Sequence, residues 1–174
     1  MFEDREDRED RDARDARDAR DERDVLVLGL GNRLLGDDAA GPLVVDALAR
    51  SARPPARLRD GGTIGLALLP EIEDARGLIA VDAAMFGAAP GTVRVFEGEA
   101  MDRQLGGTKR SAHEVALADL VAAAALGGRL PERRALVAVE PRSTALGLEP
   151  SAAVAAAIPR LCDAVDGLLA RWTR

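Results

Sequence analysis

The chain has 174 residues, of which 24 are basic and 30 acidic, and most of its formal net charge of −6 lies at one end. Residues 1–24 hold 7 Arg and 12 Asp or Glu, a net of −5, which leaves 17 basic and 18 acidic residues, a net of −1, for residues 25–174. This near-neutral balance excludes a basic nucleic-acid platform, which needs clustered Lys and Arg without matching acids. We therefore expect no nucleic-acid partner.

The counts of cysteine and histidine exclude further classes of protein and of metal site. A single cysteine cannot form an internal disulfide, which fits a reducing compartment. No apolar run approaches the ~18–20 residues of a membrane helix, and the charged first residues are unlike a secretory signal. We predict a cytoplasmic protein without membrane insertion. The single histidine, His113, excludes every metal site that needs two imidazoles.

Residues 1–24 form a charged, low-complexity repeat with a period of three. After Phe2 the only apolar residue type in it is alanine, so the segment cannot bury enough surface to offset its ordering entropy. We predict a disordered tail over 1–24 and one folded domain over 25–174, a length typical of a single domain.

In chain order, short apolar runs alternate with amphipathic stretches. Strands are predicted at 25–30, 56–59, 77–82, 92–96 and 135–139, and helices at 40–50, 64–74, 111 to about 127, and about 151 to 172. Ser111 and Glu114 have the spacing of a capping box. The alternation predicts an α/β fold: a single three-layer domain, with a mostly parallel five-stranded sheet and helices on both faces. The short link between the third and fourth strands indicates that one of them is antiparallel.

Glycines and aspartates follow three of the predicted strands, at 29–31, at 60–62 and at Asp82. Ligands of open α/β sheets bind beyond such carboxyl ends. Gly29 and Gly31 begin a dinucleotide fingerprint, but its third glycine is replaced by Leu34. Two aspartates also stand at 37–38, where a pyrophosphate would need bare amides. A nucleotide cofactor is therefore disfavoured.

The same acidic residues suit a cation. One of Asp37 and Asp38 suffices to cap the first helix, which leaves the other unexplained. Asp82 ends an apolar strand, where a carboxylate must be solvated, hydrogen-bonded or paired with a metal. His113 falls at the second position of a predicted helix, and a helix N-terminus keeps imidazole neutral and able to bind metal. A lone histidine is more often structural, but the neighbouring acidic strand ends favour a ligand.

Signatures of several other hydrolases are absent. The sequence His113-Glu114 begins the zincin motif, but Leu117 stands where its second histidine is needed, and no G-x-S-x-G elbow occurs. Cys162 lies on the final predicted helix, where we interpret it as a packing residue rather than a nucleophile.

Taken together, four motifs resemble the nickel-iron hydrogenase maturation endopeptidases. They are G-x-G-N-x-L-x-x-D-D at 29–38, D-G-G-T at 60–63, V-D-A at 81–83 and S-x-H-E at 111–114. The resemblance covers nearly all of residues 25–172, in order, and the tail lies outside it. It implies a phosphorylase/hydrolase-like α/β domain that removes a C-terminal extension from the hydrogenase large-subunit precursor after nickel insertion.

The resemblance also implies the site. The metal-contacting positions of the family fall on Asp38, Asp82 and His113, and the nickel is supplied by the substrate. Asp38 and Asp60 are the catalytic candidates. Hydrolysis would be completed by the metal or by a water that the metal or Asp60 activates, and the identity of the base is left open. Gly61, Gly62 and Thr63 would line the edge of the substrate cleft. An alternative is a module that senses nickel or binds the large subunit without cleaving it.

Overall fold

The computed structural model describes residues 25–50, 56–63, 65–107 and 112–172, and at 112–115 the backbone alone. The predicted tail at 1–24 and the capping residue Ser111 lie outside the described residues. No helix of the described part is long and apolar enough to cross a membrane.

Five strands form one sheet in the order β2-β1-β3-β5-β4. Their bounds are Val25–Leu30 (β1), Arg57–Gly62 (β2), Gly77–Ala83 (β3), Val93–Glu97 (β4) and Arg133–Val139 (β5). All neighbouring pairs are parallel except β4 with β5. The predicted five-stranded, mostly parallel sheet is therefore confirmed, and the antiparallel strand is β4. The second strand is longer than expected, because Asp60, Gly61 and Gly62 continue it after a register shift opposite Gly29 and Leu30.

Six α-helices and two 3-10 turns connect the strands within the described ranges. The helices are Ala40–Arg50 (α1), Leu69–Glu73 (α2), Glu99–Gly106 (α3), Ala112–Leu126 (α4), Ala152–Ala155 (α5) and Ile158–Trp172 (α6), and the 3-10 turns are Gly36–Ala39 and Gly65–Leu68. The sequence analysis did not predict α3. It also predicted one final helix where the structure has two, and Pro159, which has no amide proton to donate, is the second residue of the later one.

The helices cover both faces of the sheet, as predicted. On one face α1 and α6 pack on the odd-numbered residues of β1 and β3, such as Val27 and Ile79. On the other face α2, α3 and α4 pack on the even-numbered residues, such as Leu28 and Leu78. The predicted inner face of α4 is confirmed by four buried residues: Leu117, Leu120, Val121 and Ala124. The alternation follows from the strand period of two.

Helix α1 lies unusually close to the sheet because two glycines face each other. A Cβ atom on Gly41 would stand 2.3 Å from the carbonyl oxygens of both Leu30 and Val81, and one on Gly29 would stand 2.5 Å from the carbonyl oxygen of Gly41. No side chain fits in either place. The glycines therefore let the first turn of α1 sit directly on the ends of β1 and β3, and this fixes the 3-10 turn that precedes it.

Candidate functional site

The carboxyl ends of β2, β1 and β3 lie side by side, because these strands are consecutive in the sheet and parallel. Gly29 pairs with Asp60 on one side and with Val81 on the other, so Asp82 follows directly. The three strand ends singled out in the sequence are thus neighbours along one edge of the sheet. Below, this edge is called the carboxyl edge.

Asp82 is a buried carboxylate near the end of β3, with 1% of its surface exposed. Its even position in the strand places it on the same face of the sheet as Leu78 and Ala80, which α2, α3 and α4 cover. His113 is the second residue of α4, so its backbone begins the helix that packs on this face. The side chain of His113 lies outside the described residues.

Asp38 lies in the first 3-10 turn, which packs against β3. It is 2% exposed, and its Oδ2 accepts a hydrogen bond of 2.8 Å from the amide of Asn32. The expectation that an aspartate caps the first helix is wrong. The residue at the start of the turn is Leu35, which makes no side-chain cap, and both aspartates lie inside the turn.

Asp37 has a different role from its neighbour: it anchors the β5–α5 loop (residues 140–151). Its fully buried carboxylate accepts hydrogen bonds from the amides of Arg142, Ser143 and Ser151 and from the Ser151 hydroxyl, at 2.6–3.1 Å. Burial alone would raise the pKa of Asp37, but these donors outweigh it and hold the pKa below its ordinary value. The second aspartate that the sequence left unexplained is therefore an anionic anchor for a distant loop.

Asp60 is held at the surface by Arg33. The guanidinium Nη2 lies 2.8 Å from Asp60 Oδ2, and Nη1 lies 2.7 Å from Asp46 Oδ2. The hydrogen bonds to Asp46 and then Asp60 raise the pKa of Arg33 above its ordinary value. The other oxygen of Asp60, Oδ1, accepts a bond of 3.0 Å from the amide of Gly62. Asp60 is thus fixed at the carboxyl edge but accessible to solvent.

Gly61 and Gly62 form the outer end of β2, and Thr63 follows it in a turn. Gly61 is buried, and a Cβ there would meet the Leu28 side chain at 2.7 Å. Gly62 has a φ of +46°, a left-handed conformation that favours glycine, and Thr63 is exposed. The substrate-binding role assigned to these three residues stays a prediction.

Glu140 is a further buried carboxylate at the carboxyl edge that the sequence analysis did not single out. Its Oε2 accepts hydrogen bonds from the amides of Phe86 at 2.8 Å and Ala88 at 3.1 Å. It thereby fixes the loop that follows Asp82. Its position directly after an apolar strand, like that of Asp82 near its strand end, was the available signal.

Among the side chains that the structure describes, no group of three or more His, Cys, Asp or Glu lies close enough to hold a metal ion. The predicted metal ligands are Asp38, Asp82 and His113. Because the side chain of His113 lies outside the described residues, this ligand set stays a prediction. The turn that carries Asp38 packs against β3, the strand that contains Asp82. Cys162 is half-buried against the core between the sheet and α6.

A sheet covered by helices on both faces defines an α/β protein, and its buried carboxylates lie at the edge where ligands of open α/β sheets generally bind. Comparison with known proteins specifies the class. A sequence model of the family described as hydrogenase maturation protease matches residues 42–167. The chain therefore belongs to the hydrogenase maturation protease family, whose named members include proteases and endopeptidases, that is, peptide hydrolases.

Individual relatives agree with this placement. The chain is 41% identical to the hydrogenase expression/formation protein HupD of Rhodobacter capsulatus over 119 residues, which are 67% of this chain and 57% of that protein. It is 37% identical to the hydrogenase 2 maturation protease of Escherichia coli over 132 residues, 73% of this chain and 80% of that one. The chain thus spans less than two thirds of the length of HupD but most of the Escherichia coli protein.

The fold is similar to that of solved structures. The hydrogenase maturating endopeptidase HybD of Escherichia coli matches 84% of this chain and 92% of its own, with a TM-score of 0.79 and 33% identity. The predicted fold class and the predicted family are both confirmed.

Proposed function

We propose that this chain is an endopeptidase that recognises nickel in the [NiFe] hydrogenase large-subunit precursor and removes the C-terminal extension of that precursor. The proposal extends to this chain the activity for which its relatives are named, one of which is a hydrogenase 2 maturation protease. The partner is therefore the large-subunit precursor, and the cytoplasm is the expected location.

The observation that carries the proposal is the burial of two carboxylates at the carboxyl edge, Asp38 at 2% and Asp82 at 1% exposure. Asp38 lies on a turn that packs against β3, and Asp82 lies in β3 itself. Carboxylate oxygens are ligands that divalent cations accept. A divalent cation carried by the substrate would therefore meet two buried oxygen donors on neighbouring elements.

In this proposal Asp38, Asp82 and His113 hold the nickel that the precursor carries. Two carboxylates and one neutral imidazole are an N/O donor set suited to borderline divalent metals. Only three ligands come from this chain, so the metal keeps positions for ligands of the precursor. Binding at this set then selects precursors that already contain nickel, because the empty precursor offers no cation to the two acids.

Hydrolysis requires a water molecule and a group that accepts its proton. A water molecule polarised by the metal is one source of the nucleophile. Asp60, at the carboxyl edge, is the candidate general base. Asp38 is the other catalytic candidate. Arg33 and the Gly62 amide fix the Asp60 carboxylate in one orientation. Gly61 and Gly62 lack side chains, which lets the backbone of an extended substrate approach β2.

Incubation of the full chain with nickel-loaded precursor, followed by intact-mass measurement, tests the proposal. We expect the precursor to lose the mass of its C-terminal extension, and the nickel-free precursor to stay intact. Asp82→Asn should abolish the mass loss. Asp119→Asn, which changes an exposed aspartate on α4, is the matched control and should cleave like the wild type.

Two results of this experiment would contradict parts of the proposal. A stable complex without truncation would overturn the endopeptidase assignment in favour of a module that senses nickel or binds the large subunit without cleaving it. Equal cleavage of nickel-loaded and nickel-free precursor would overturn the recognition of nickel.

A further inference from the structure

Large apolar side chains are exposed after every parallel strand of the sheet. They are Leu34 after β1, Leu66 after β2, Met85 after β3, and Leu146 and Leu148 after β5. Their exposed fractions run from 44% to 87%. Within the described residues, the other exposed large apolar side chains are Leu126, at 91%, and Val95, at 38%. The five residues together are called the apolar rim.

Three members of the apolar rim lie on two loops that are joined by backbone hydrogen bonds. Leu35 and Gly147 form an isolated parallel bridge. The Gly147 amide donates to the carbonyl oxygen of Leu34 at 2.9 Å, and the Gly36 amide donates to the carbonyl oxygen of Gly147 at 2.8 Å. Leu146 and Leu148, on either side of Gly147, are therefore brought next to Leu34. Leu146 and Leu148 are the two most exposed members of the rim, at 87% and 80%.

The β5–α5 loop is held in place by hydrogen bonds to the buried carboxylate of Asp37. Its carboxylate binds the loop at both ends, at Arg142–Ser143 and at Ser151, and the Asp37 amide donates to the carbonyl oxygen of Ser143 at 3.2 Å. The leucines are thus presented on a fixed backbone rather than on a free one. A preordered apolar surface loses little conformational entropy when a partner covers it.

Exposed apolar side chains clustered on one edge of a protein mark an interaction surface. The rim surrounds the edge where Asp38 and Asp82 lie, so an occupant of the site also passes over the rim. Asp37, which anchors the leucine-bearing loop, is the direct chain neighbour of Asp38. The rim and the candidate site therefore lie at the same end of the sheet.

We propose that the apolar rim is the docking surface for an apolar segment of the protein substrate, with Leu34, Leu146 and Leu148 as its main contacts. The inference rests on the proposed function for the identity of the partner, the large-subunit precursor. The rim supplies affinity and the carboxylates supply the chemistry. Removing the leucines should therefore weaken binding and leave the chemical step unchanged.

The test uses Leu146→Ser/Leu148→Ser in the full chain and the nickel-loaded precursor as the probe. We expect KM for cleavage, and Kd for the precursor from biolayer interferometry, to rise about tenfold or more, while kcat changes less than twofold. Thermal stability should not fall, because both side chains are exposed. Leu126→Ser is the matched control: α4 ends at Leu126 and leads to the first residue of β5, at the opposite edge of the sheet.

The outcomes separate the two proposals. If the wild type binds the precursor without cleaving it and the double variant binds at least tenfold more weakly, the rim is supported and the endopeptidase assignment fails. An unchanged KM and Kd overturns the rim, and so does a wild type that forms no complex. A double variant that loses self-association of this chain while keeping its affinity for the precursor also overturns it, because the surface then joins two copies.

Discussion

The carboxylate of Asp37 accepts a hydrogen bond of 2.6 Å from the amide of Ser151, 114 residues further along the chain. This contact joins the turn after the first strand to the loop after the last one. The carboxylate is fully buried, and its hydrogen bonds come from donors of the β5–α5 loop. One anion therefore fastens this loop at both of its ends.

Replacing this anion should destabilise the protein. Asp37→Asn removes the charge and replaces one carboxylate oxygen by an NH2 donor. That donor faces the Ser151 amide if it replaces Oδ1, or the Arg142 and Ser143 amides if it replaces Oδ2, so at least one buried donor loses its acceptor. We expect the free energy of unfolding, measured in urea at pH 7, to fall by about 2–4 kcal/mol. Asp119→Asn, at an exposed position, should change it by less than about 0.5 kcal/mol. Equal effects of the two variants would show that the anchor is energetically unimportant.

The same carboxylate predicts a pH dependence of stability. Its pKa is lowered in the folded protein from an ordinary 3.8, so the folded state binds its proton less tightly than the unfolded state. The stabilisation is complete above 3.8 and is lost as the pH falls through the lower, folded pKa. The difference in unfolding free energy between wild type and Asp37→Asn should therefore shrink below about pH 4. Taking the difference cancels Asp46 and Asp102, whose pKa values are also lowered. A gap that is constant down to pH 2 would contradict this account.

The close contact of Gly41 with the sheet predicts that replacing glycine by alanine has opposite effects on stability in α1 and in α6. Gly41→Ala places a methyl group 2.3 Å from two backbone oxygens, so we expect a loss of about 3 kcal/mol or more, or failure to fold. Gly167→Ala, in α6 where a Cβ meets no atom within 4 Å, should stabilise by about 0.5–1 kcal/mol through helix propensity. Thermal denaturation of both variants checks this. A Gly41→Ala protein as stable as Gly167→Ala would mean that α1 shifts freely.

Asp60 and Asp46 both form an ion pair with Arg33. Comparing variants of the two therefore separates the proposed role of Asp60 as general base from its role as a partner of Arg33. Asp60→Asn should lower kcat for precursor cleavage by about 100-fold or more if Asp60 is the general base. Asp46→Asn loses an ion pair with the same guanidinium and should keep kcat near that of the wild type. Each exposed pair contributes only about 0–1 kcal/mol to stability, so both variants should remain folded. If both lose activity alike, the positioning of Arg33 matters and the assignment of Asp60 as base is wrong.

Replacement of the single histidine tests the metal ligand set. His113→Ala should abolish cleavage of the nickel-loaded precursor, because only one imidazole is available in the chain. The thermal midpoint should stay unchanged. Cys162→Ser, on α6, is the control and should cleave normally. Full activity of His113→Ala would remove the residue from the site, and loss of activity in Cys162→Ser would overturn our reading of the thiol as a packing residue.

Much of the fold was predictable because its signals are local. The apolar runs of β1, β3 and β5 are buried on both faces, and such strands read as continuous hydrophobic segments. The spacing of Leu161, Val165 and Leu168 likewise identified the buried face of α6. The position of α3 was missed because its eight residues bury only two side chains, Met101 and Leu105, too few to set a period.

The candidate site was only partly predictable, for a different reason. Asp82 was recognisable from its place at the end of an apolar strand, whereas Asp38 was distinguished from Asp37 only by the resemblance to the family. The partners of Asp37 lie more than 100 residues away, so no local pattern distinguishes an anchor from a helix cap. Glu140 was missed on the same ground, since its acceptor role depends on Phe86 and Ala88, some 50 residues earlier.

The fastening of the β5–α5 loop also limits how this protein can be redesigned. Residues 142–143, 147 and 151 are each tied to the segment 34–37 by main-chain amides or carbonyls. An inserted residue between these ties would shift the register of every later one, whereas replacing the side chains at 146 and 148 disturbs none of them. Retargeting the protein to a different polypeptide is therefore best attempted by exchanging those side chains at constant loop length.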